Sequence, residues 1–159
     1  MRLRRELADV LGGRAPTPED LSRLPLTRMT VKEAMRLYPP IWIIERRVIA
    51  DDAVAGYHLP AGSAVVIAPY ALHRHRDYWE EPERFEPTRF AGSVPAAYIP
   101  FGAGPRFCIG SEFALLEAQL ILAVVGQAFR LRPAPGYPVE LQPGITLRPR
   151  HGLFMTLQA

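Results

Sequence analysis

Residues 101–110 read Phe-Gly-Ala-Gly-Pro-Arg-Phe-Cys-Ile-Gly and contain Cys108, the single cysteine of the 159-residue chain. An apolar run with helical spacing follows, which places the thiol between a glycine-rich turn and a helix N-terminus. The free N–H groups and positive dipole end of a helix start favour the thiolate form, and glycines let backbone amides approach the sulfur. Residue type alone favours a small buried hydrophobe, whereas this position favours a ligating thiolate.

A lone thiolate limits the metal sites that the chain can build. One cysteine excludes an internal disulfide framework and a multi-cysteine zinc or iron–sulfur site. A cofactor that fills its own remaining coordination positions fits better than a zinc cage, and haem has that property. His73 and His75 lie two positions apart and lack a third ligand, which argues against a separate metal site there.

The composition excludes several classes of protein. With 48% hydrophobic and 22% charged residues, the chain is typical of a soluble globular protein and not of a disordered or fibrous one. The net charge of +3 comes from scattered basic residues, so we expect no nucleic-acid partner. The apolar stretch 120–125 is far shorter than the roughly 20 residues that span a bilayer. We therefore expect no membrane segment in this chain and a cytoplasmic location.

The patterns along the chain predict short elements of both kinds, in agreement with 17 dispersed prolines. Apolar spacing and caps predict helices over 2–11, from Thr17, from about 27 or 30 to 37, over 69–75 and over 111–129. Strands are predicted over 41–44, 48–49, 57–59, 64–68, around 131, over 145–147 and over 153–157. Residues 79–107 read as an ordered, irregular meander. The helix over 111–129 is apolar around nearly its whole circumference, which predicts burial in something larger.

The spacing Phe-x-x-Gly-x-Arg-x-Cys-x-Gly, from Phe101 to Gly110, resembles the haem-binding loop of the cytochrome P450 family of haem-thiolate monooxygenases. The resemblance implies haem b as cofactor, with Cys108 as the axial thiolate to the iron. It also implies that Arg106 and Arg46 bind the haem propionates, with Arg47 as the residue most easily confused with Arg46. The residues expected at the cofactor are Cys108, Arg106, Arg46, Phe101, Gly102, Gly104 and Gly110.

Glu33 and Arg36 are spaced to share one helix face. Alone, Glu33 also fits a capping box with Thr30. In the family, a Glu-x-x-Arg pair makes a charge network with an arginine of the meander. The family's pattern matches Arg89 and leaves Arg84 as the alternative, although Thr88 stands where the motif usually has glutamate. That pattern is carried by Trp79, Pro82, Phe85, Pro87, Arg89 and Phe90.

Two apolar segments resemble the family's substrate contacts, although by pattern the first also reads as a core strand. The expected contacts are Ile41, Trp42, Ile43 and Ile44 in the first segment, and Gly144 and Ile145 in the second, where 141–144 is predicted to form a turn.

The resemblance covers essentially the whole chain but only the C-terminal part of the cytochrome P450 fold, so the expected class is mainly α with small antiparallel β-sheets (α+β). We expect helices with Glu-x-x-Arg in 1–40, a small β-sheet in 41–69, the meander and haem loop in 70–110, and a buried helix and terminal strands in 111–159. The complete protein is expected to hydroxylate or epoxidise a hydrophobic small molecule with O₂ and electrons from a ferredoxin or flavoprotein reductase. The isolated fragment is expected to be inactive; the alternative is a truncated haem-binding module without turnover.

Overall fold

The computed structural model describes residues 2–158, which form four α-helices and eight short strands. The class, helices with small antiparallel sheets, is the one that the sequence predicts. The helices are α1 (Arg2–Leu11), α2 (Pro25–Leu37), α3 (Pro69–Leu72) and α4 (Ser111–Ala128), and 3₁₀ helices cover Pro18–Arg23, Pro87–Ala91 and Gly104–Arg106. The strands are β1 (Ile44–Arg47), β2 (Asp52–Val54), β3 (Tyr57–Leu59), β4 (Ala64–Ile67), β5 (Arg130–Pro133), β6 (Leu141–Pro143), β7 (Leu147–Pro149) and β8 (Met155–Gln158).

The hydrophobic core lies where α1 meets α4 and the segment that leads into α2. Leu7, Leu11, Leu24 and Ala123 are buried together, as the apolar spacing of α1 requires. A Cβ added at Gly126 would lie 3.0 Å from Leu7 Cδ1, so α1 and α4 are in close contact at this glycine. This packing fixes the direction of α4, and thereby the position of the residues immediately before it.

Much of the apolar surface of α4 is exposed in this structure. Ser111, Gln119 and Ala123 are the buried positions, whereas Phe113, Ile121 and Val124 are at least half exposed. By length and composition, α4 is the one helix within residues 2–158 that could cross a membrane. A core helix of a soluble protein meets the same criterion, so this helix does not demonstrate a membrane span.

The strands form four separate antiparallel ladders: β1–β4, β2–β3, β5–β8 and β6–β7. The single sheet expected over 41–69 is therefore wrong, because 57–59 pairs with β2 and not with 64–68. The reason is the turn at Ala55 and Gly56, whose φ values of 49° and 84° are those of the tight two-residue hairpin that joins β2 to β3. In the sequence, this hairpin lies between β1 and β4, which pair with each other.

Two other strand predictions need correction. Residues 41–43 are not strand, and Ile41 and Ile43 are exposed; β1 begins only at Ile44, opposite the last residue of β4. Near the C-terminus, 141–143 is strand β6 instead of a turn, and Ile145 lies in the connection to β7 instead of in a strand. In both places apolar side chains favour a strand, but a strand also needs a backbone partner, which pattern alone does not reveal.

Helix α2 begins earlier than predicted because its N-terminus is capped from another helix. Pro25 stands at its first position, and the Glu6 carboxylate of α1 accepts hydrogen bonds from Leu26 N at 2.6 Å, Thr27 N at 2.8 Å and Thr27 Oγ1 at 2.8 Å. The helix expected from Thr17 is instead the 3₁₀ turn Pro18–Arg23.

Replacing Glu6 by alanine is expected to lower the free energy of unfolding by about 1–2 kcal/mol, because it removes the acceptor from orphan N–H groups at a helix start. Asp9 is the control: it lies on the same helix in an exposed pair with Arg5, so Asp9→Ala is expected to cost less than about 0.5 kcal/mol. Urea unfolding followed by circular dichroism measures both. Equal effects of the two substitutions would contradict the capping role.

Candidate functional site

The cysteine loop, residues 101–110, is closed by its own backbone. Cys108 N donates to Phe101 O at 3.0 Å and Phe107 N donates to Gly104 O at 3.0 Å. Gly102 and Gly104 have φ values of 77° and 70°, in the left-handed region where a side chain is strained. The glycine-rich turn expected from the sequence is therefore required by the conformation that brings the two ends of the loop together.

The thiol stands at the entrance to α4. Cys108 is exposed, Ser111 N donates to Cys108 O at 3.3 Å, and Ala114 N donates to Gly110 O at 2.9 Å, which continues the loop directly into the helix. A Cβ added at Gly110 would lie 3.9 Å from Cys108 Sγ, so glycine leaves that side of the sulfur uncovered. The sulfur is thus accessible to an external partner.

A cleft of about 260 Å³ opens beside the sulfur and combines three kinds of group. It has one thiol, two guanidinium groups and apolar walls, a donor set that fits haem: a thiolate for the iron, cations for the propionates and apolar surface for the macrocycle. The lining residues are Ile41, Ile44, Arg46, Pro100, Phe101, Gly102, Arg106 and Cys108.

The two arginines reach the cleft from different elements. Arg46 lies in β1 opposite Val65, and Arg106 ends the 3₁₀ helix Gly104–Arg106 of the cysteine loop. Arg47 is not part of the cleft lining, because successive side chains of a strand point to opposite faces. The choice of Arg46 over Arg47 therefore has a geometric basis in the structure.

The two predicted substrate segments lie side by side. Trp42 Nε1 donates to Gly144 O at 2.8 Å, and Leu147 N donates to Pro40 O at 2.8 Å. Only Ile41 and Ile44 of these segments line the cleft, whereas Trp42 and Ile43 do not. Ile145 also lies outside the cleft lining and is almost fully exposed.

Glu33 and Arg36 form a fully buried ion pair below the meander. Arg36 Nε lies 2.7 Å from Glu33 Oε2, and Arg36 Nη2 lies 2.9 Å from Glu33 Oε1, a bidentate arrangement. The remaining donors of Arg36 reach backbone carbonyls, with Nη1 donating to His73 O and Pro82 O at 2.7 Å each and Nη2 donating to Arg84 O at 3.1 Å. One guanidinium therefore ties α2 to three points further along the chain.

Arg89 completes this network, and Arg84 does so only through its carbonyl. Arg89 Nε donates to Glu33 Oε1 at 3.1 Å, and Glu86 N donates to the same oxygen at 2.7 Å. The Arg84 guanidinium instead pairs with exposed Glu81. Thr30, the residue of the alternative capping box, lies inside α2 and donates to Leu26 O, so that alternative is wrong.

Sequence reasoning missed one buried residue of this region, His73. Its side chain is fully buried, and burial together with the Arg36 and Arg74 cations lowers its pKa to about 4, so the ring is neutral at pH 7. The residues that the structure describes contain no cluster of three or more His, Cys, Asp or Glu suited to a metal ion. No local motif marks His73 in the sequence, because its partners lie 26 and 37 positions away.

Comparison with known proteins places these features in a family. The sequence model described as Cytochrome P450 matches residues 1–154. The chain is 43% identical over 152 residues to cytochrome P450 132 of Mycobacterium tuberculosis, covering 93% of this chain and 33% of that protein. It is 41% identical over 140 residues to cyclooctat-9-en-7-ol 5-monooxygenase of Streptomyces melanosporofaciens, covering 85% and 30% respectively.

The solved structure of retinoic acid bound cyanobacterial CYP120A1 aligns with 99% of this chain and 38% of that one, at a TM-score of 0.91 and 32% identity. The chain spans about a third of the length of the curated relatives that it matches, and corresponds to the C-terminal portion of the fold. Because the match extends over residues 1–154, far beyond the ten residues of the cysteine loop, coincidence in a short motif does not account for it, and the chain belongs to the cytochrome P450 family.

Proposed function

We propose that this chain is the C-terminal haem-binding portion of an O₂-dependent monooxygenase, and that Cys108 supplies the axial thiolate to the iron of haem b. The observation that carries the proposal is the cleft in which the exposed Cys108 thiol, the Arg46 and Arg106 guanidiniums and apolar walls converge. Family membership implies haem, O₂ and an electron donor, and the named monooxygenase among the relatives supports the reaction class.

Different residues of the cleft would bind different parts of the haem. Cys108 would hold the iron, and the closed backbone of the loop would hold the sulfur. Arg46 and Arg106 would bind the propionates, since anionic groups that leave water need charged or N–H partners. Bound haem with a thiolate ligand supplies oxygen activation, in which the electron-rich sulfur favours O–O cleavage. Phe101, Gly102, Gly104 and Gly110 would shape the loop around the ligand.

The substrate is proposed to be a hydrophobic small molecule. Ile41 and Ile44 supply apolar wall to the cleft beside the cysteine loop, and Trp42 ties their segment to Gly144. Ile43 and Ile145 are exposed and directly adjoin Ile44 and Gly144 in the sequence. We propose a ferredoxin or flavoprotein reductase as electron donor, no nucleic-acid partner, and the cytoplasm as the location.

The chain is proposed to divide as the sequence indicates, with the buried ion pair in 1–40, strand ladders in 41–69, the meander and cysteine loop in 70–110, and α4 with the terminal strands in 111–159.

A second candidate function is that of a haem-binding module without turnover. One observation favours it: among the described residues that line the cleft, none carries a carboxylate or hydroxyl group that could deliver a proton.

Haem titration of the chain, followed by reduction and carbon monoxide, tests the proposal. We expect saturable binding and the red-shifted Soret band of a thiolate-ligated ferrous complex. Arg46→Gln and Arg106→Gln are each expected to weaken haem binding roughly tenfold, because each removes a charge-assisted hydrogen bond. Arg47→Gln is the matched control and is expected to change the dissociation constant less than about twofold.

The result that overturns the proposal is an absence of haem uptake, or equal losses at all three arginines, which would indicate a general charge effect. The isolated loaded chain is expected to be inactive in both cases. Turnover of an apolar substrate by the complete protein, of which this chain is proposed to be the C-terminal portion, separates the monooxygenase from the binding module when an electron donor is supplied.

A further inference from the structure

Both ring nitrogens of His73 are engaged, and their partners fix the proton on the ring. Ile99 N lies 2.9 Å from His73 Nε2, and because a backbone N–H can only donate, Nε2 accepts. Nδ1 therefore carries the proton and donates to Arg36 O at 3.1 Å. The neutral imidazole that this pairing requires agrees with the complete burial of the side chain.

His73 connects two parts of the molecule that are otherwise far apart in sequence. On one side it is held by Arg36, whose Nη1 donates to His73 O at 2.7 Å while His73 Nδ1 donates back to Arg36 O. On the other side, Ile99 lies immediately before the cysteine loop, and Ile99 O accepts from Gly102 N at 3.0 Å. The imidazole thus joins the buried ion pair to the turn that starts the loop.

Aromatic rings confine the imidazole to one orientation. The ring of Tyr98 lies 5.3 Å from that of His73, centroid to centroid, and the ring of Trp79 lies 6.4 Å away, edge to face. Tyr98 is itself held on α2, since its hydroxyl donates to Lys32 O at 3.1 Å. A side chain with both nitrogens bonded and its ring packed on two sides has little freedom to rotate.

We propose that His73 is a positioning residue for the cysteine loop: by accepting the Ile99 N–H, its imidazole holds the start of the loop against α2 and so sets the position of Cys108. Two backbone hydrogen bonds connect Ile99 to Cys108: Gly102 N donates to Ile99 O, and Cys108 N donates to the carbonyl oxygen of Phe101, the residue before Gly102. The inference rests on the proposed function only insofar as the positioned sulfur is the one proposed to ligate haem.

A pair of substitutions separates this role from bulk packing. In His73→Gln, the amide oxygen lies near the position of Nε2 and still accepts from Ile99 N–H. In His73→Asn, the shorter side chain reaches only the position of Nδ1, so it keeps the donor toward Arg36 O but loses the acceptor for Ile99 N–H. His75→Asn is the external control, because His75 is exposed and its ring accepts only from the nearby Asp77 N at 3.3 Å. All variants are compared with the unsubstituted chain.

The first measurement is amide hydrogen exchange in the haem-free chain at neutral pH. In His73→Asn, we expect about tenfold faster exchange at Ile99, Gly102 and Cys108, the factor that corresponds to about 1.4 kcal/mol. In His73→Gln, these amides are expected to stay within about threefold of the unsubstituted chain. Amides of α4 near Ala123 are expected to stay unchanged in both, as are all of these amides in His75→Asn.

The second measurement is haem titration with the reduced, carbon monoxide-treated spectrum. His73→Asn is expected to lower the thiolate-ligated fraction, and His73→Gln to restore it. If the unsubstituted chain binds no haem, the proposed function fails while the exchange data still decide the role of His73. The inference is overturned if the asparagine and glutamine variants exchange alike, if exchange rises equally throughout the chain, or if the loop amides do not respond.

Discussion

Replacing Arg36 by methionine is expected to destabilise the chain by about 3–5 kcal/mol, which is enough to unfold many single domains. The substitution removes the bidentate one of the two cations bonded to Glu33, a carboxylate with no exposed surface, and leaves only the single contact with Arg89. It also leaves carbonyls of His73, Pro82 and Arg84 without the donors that now satisfy them. Loss of the guanidinium therefore affects α2, α3 and the meander together.

Two comparison variants separate charge from packing. Arg84→Met is expected to cost less than about 1 kcal/mol, because the Arg84 guanidinium is itself exposed and pairs with exposed Glu81 and, more distantly at 3.6 Å, with half-buried Glu86. Adding Glu33→Gln to Arg36→Met removes a buried charge that has lost its bidentate partner and keeps only the Arg89 contact, and is expected to recover part of the loss. Thermal unfolding and native gel migration measure these differences. If Arg36→Met and Arg84→Met lowered the free energy of unfolding equally, the buried ion pair would contribute no more to stability than the exposed one.

The cysteine loop and its partners could be predicted because their signals are local. The spacing from Phe101 to Gly110 specifies a turn that needs glycine at positive φ and a thiol at a helix start, and the structure has both. The i, i+3 spacing of Glu33 and Arg36 is likewise a helix-face signal, and the two side chains do pair. Arg46 was distinguished from Arg47 only by resemblance, and strand alternation in β1 now supplies the physical reason.

The features that the sequence did not reveal depend on contacts between distant segments. Pairing among the strands of 44–67 is decided by a two-residue turn at Ala55 and Gly56, and the early start of α2 by the Glu6 carboxylate from another helix. His73 has partners 26 and 37 positions away. Side-chain patterns report propensity and burial, but they do not state which backbone will satisfy which hydrogen bond.

Replacing Cys108 by serine is expected to abolish the thiolate signature of the haem complex completely. The reduced, carbon monoxide-treated protein should lose its red-shifted Soret band, since a serine hydroxyl is a harder and weaker ligand for haem iron than a thiolate. Haem affinity should fall by at least about tenfold, while unfolding of the haem-free chain should change by less than about 1 kcal/mol, because Cys108 is exposed and the loop is closed by its backbone.

The neighbouring residue provides the matched control for this substitution. Ile109 is fully exposed and adjacent to the thiol, yet it is not part of the cleft lining, so Ile109→Ala should leave the spectrum and haem affinity unchanged. Retention of the red-shifted band in Cys108→Ser would require a different ligand to the iron, and the described part of the chain has no other cysteine. Because Arg46 and Arg106 remain intact in this variant, any residual haem binding measures what the two guanidiniums and the apolar walls contribute without the sulfur.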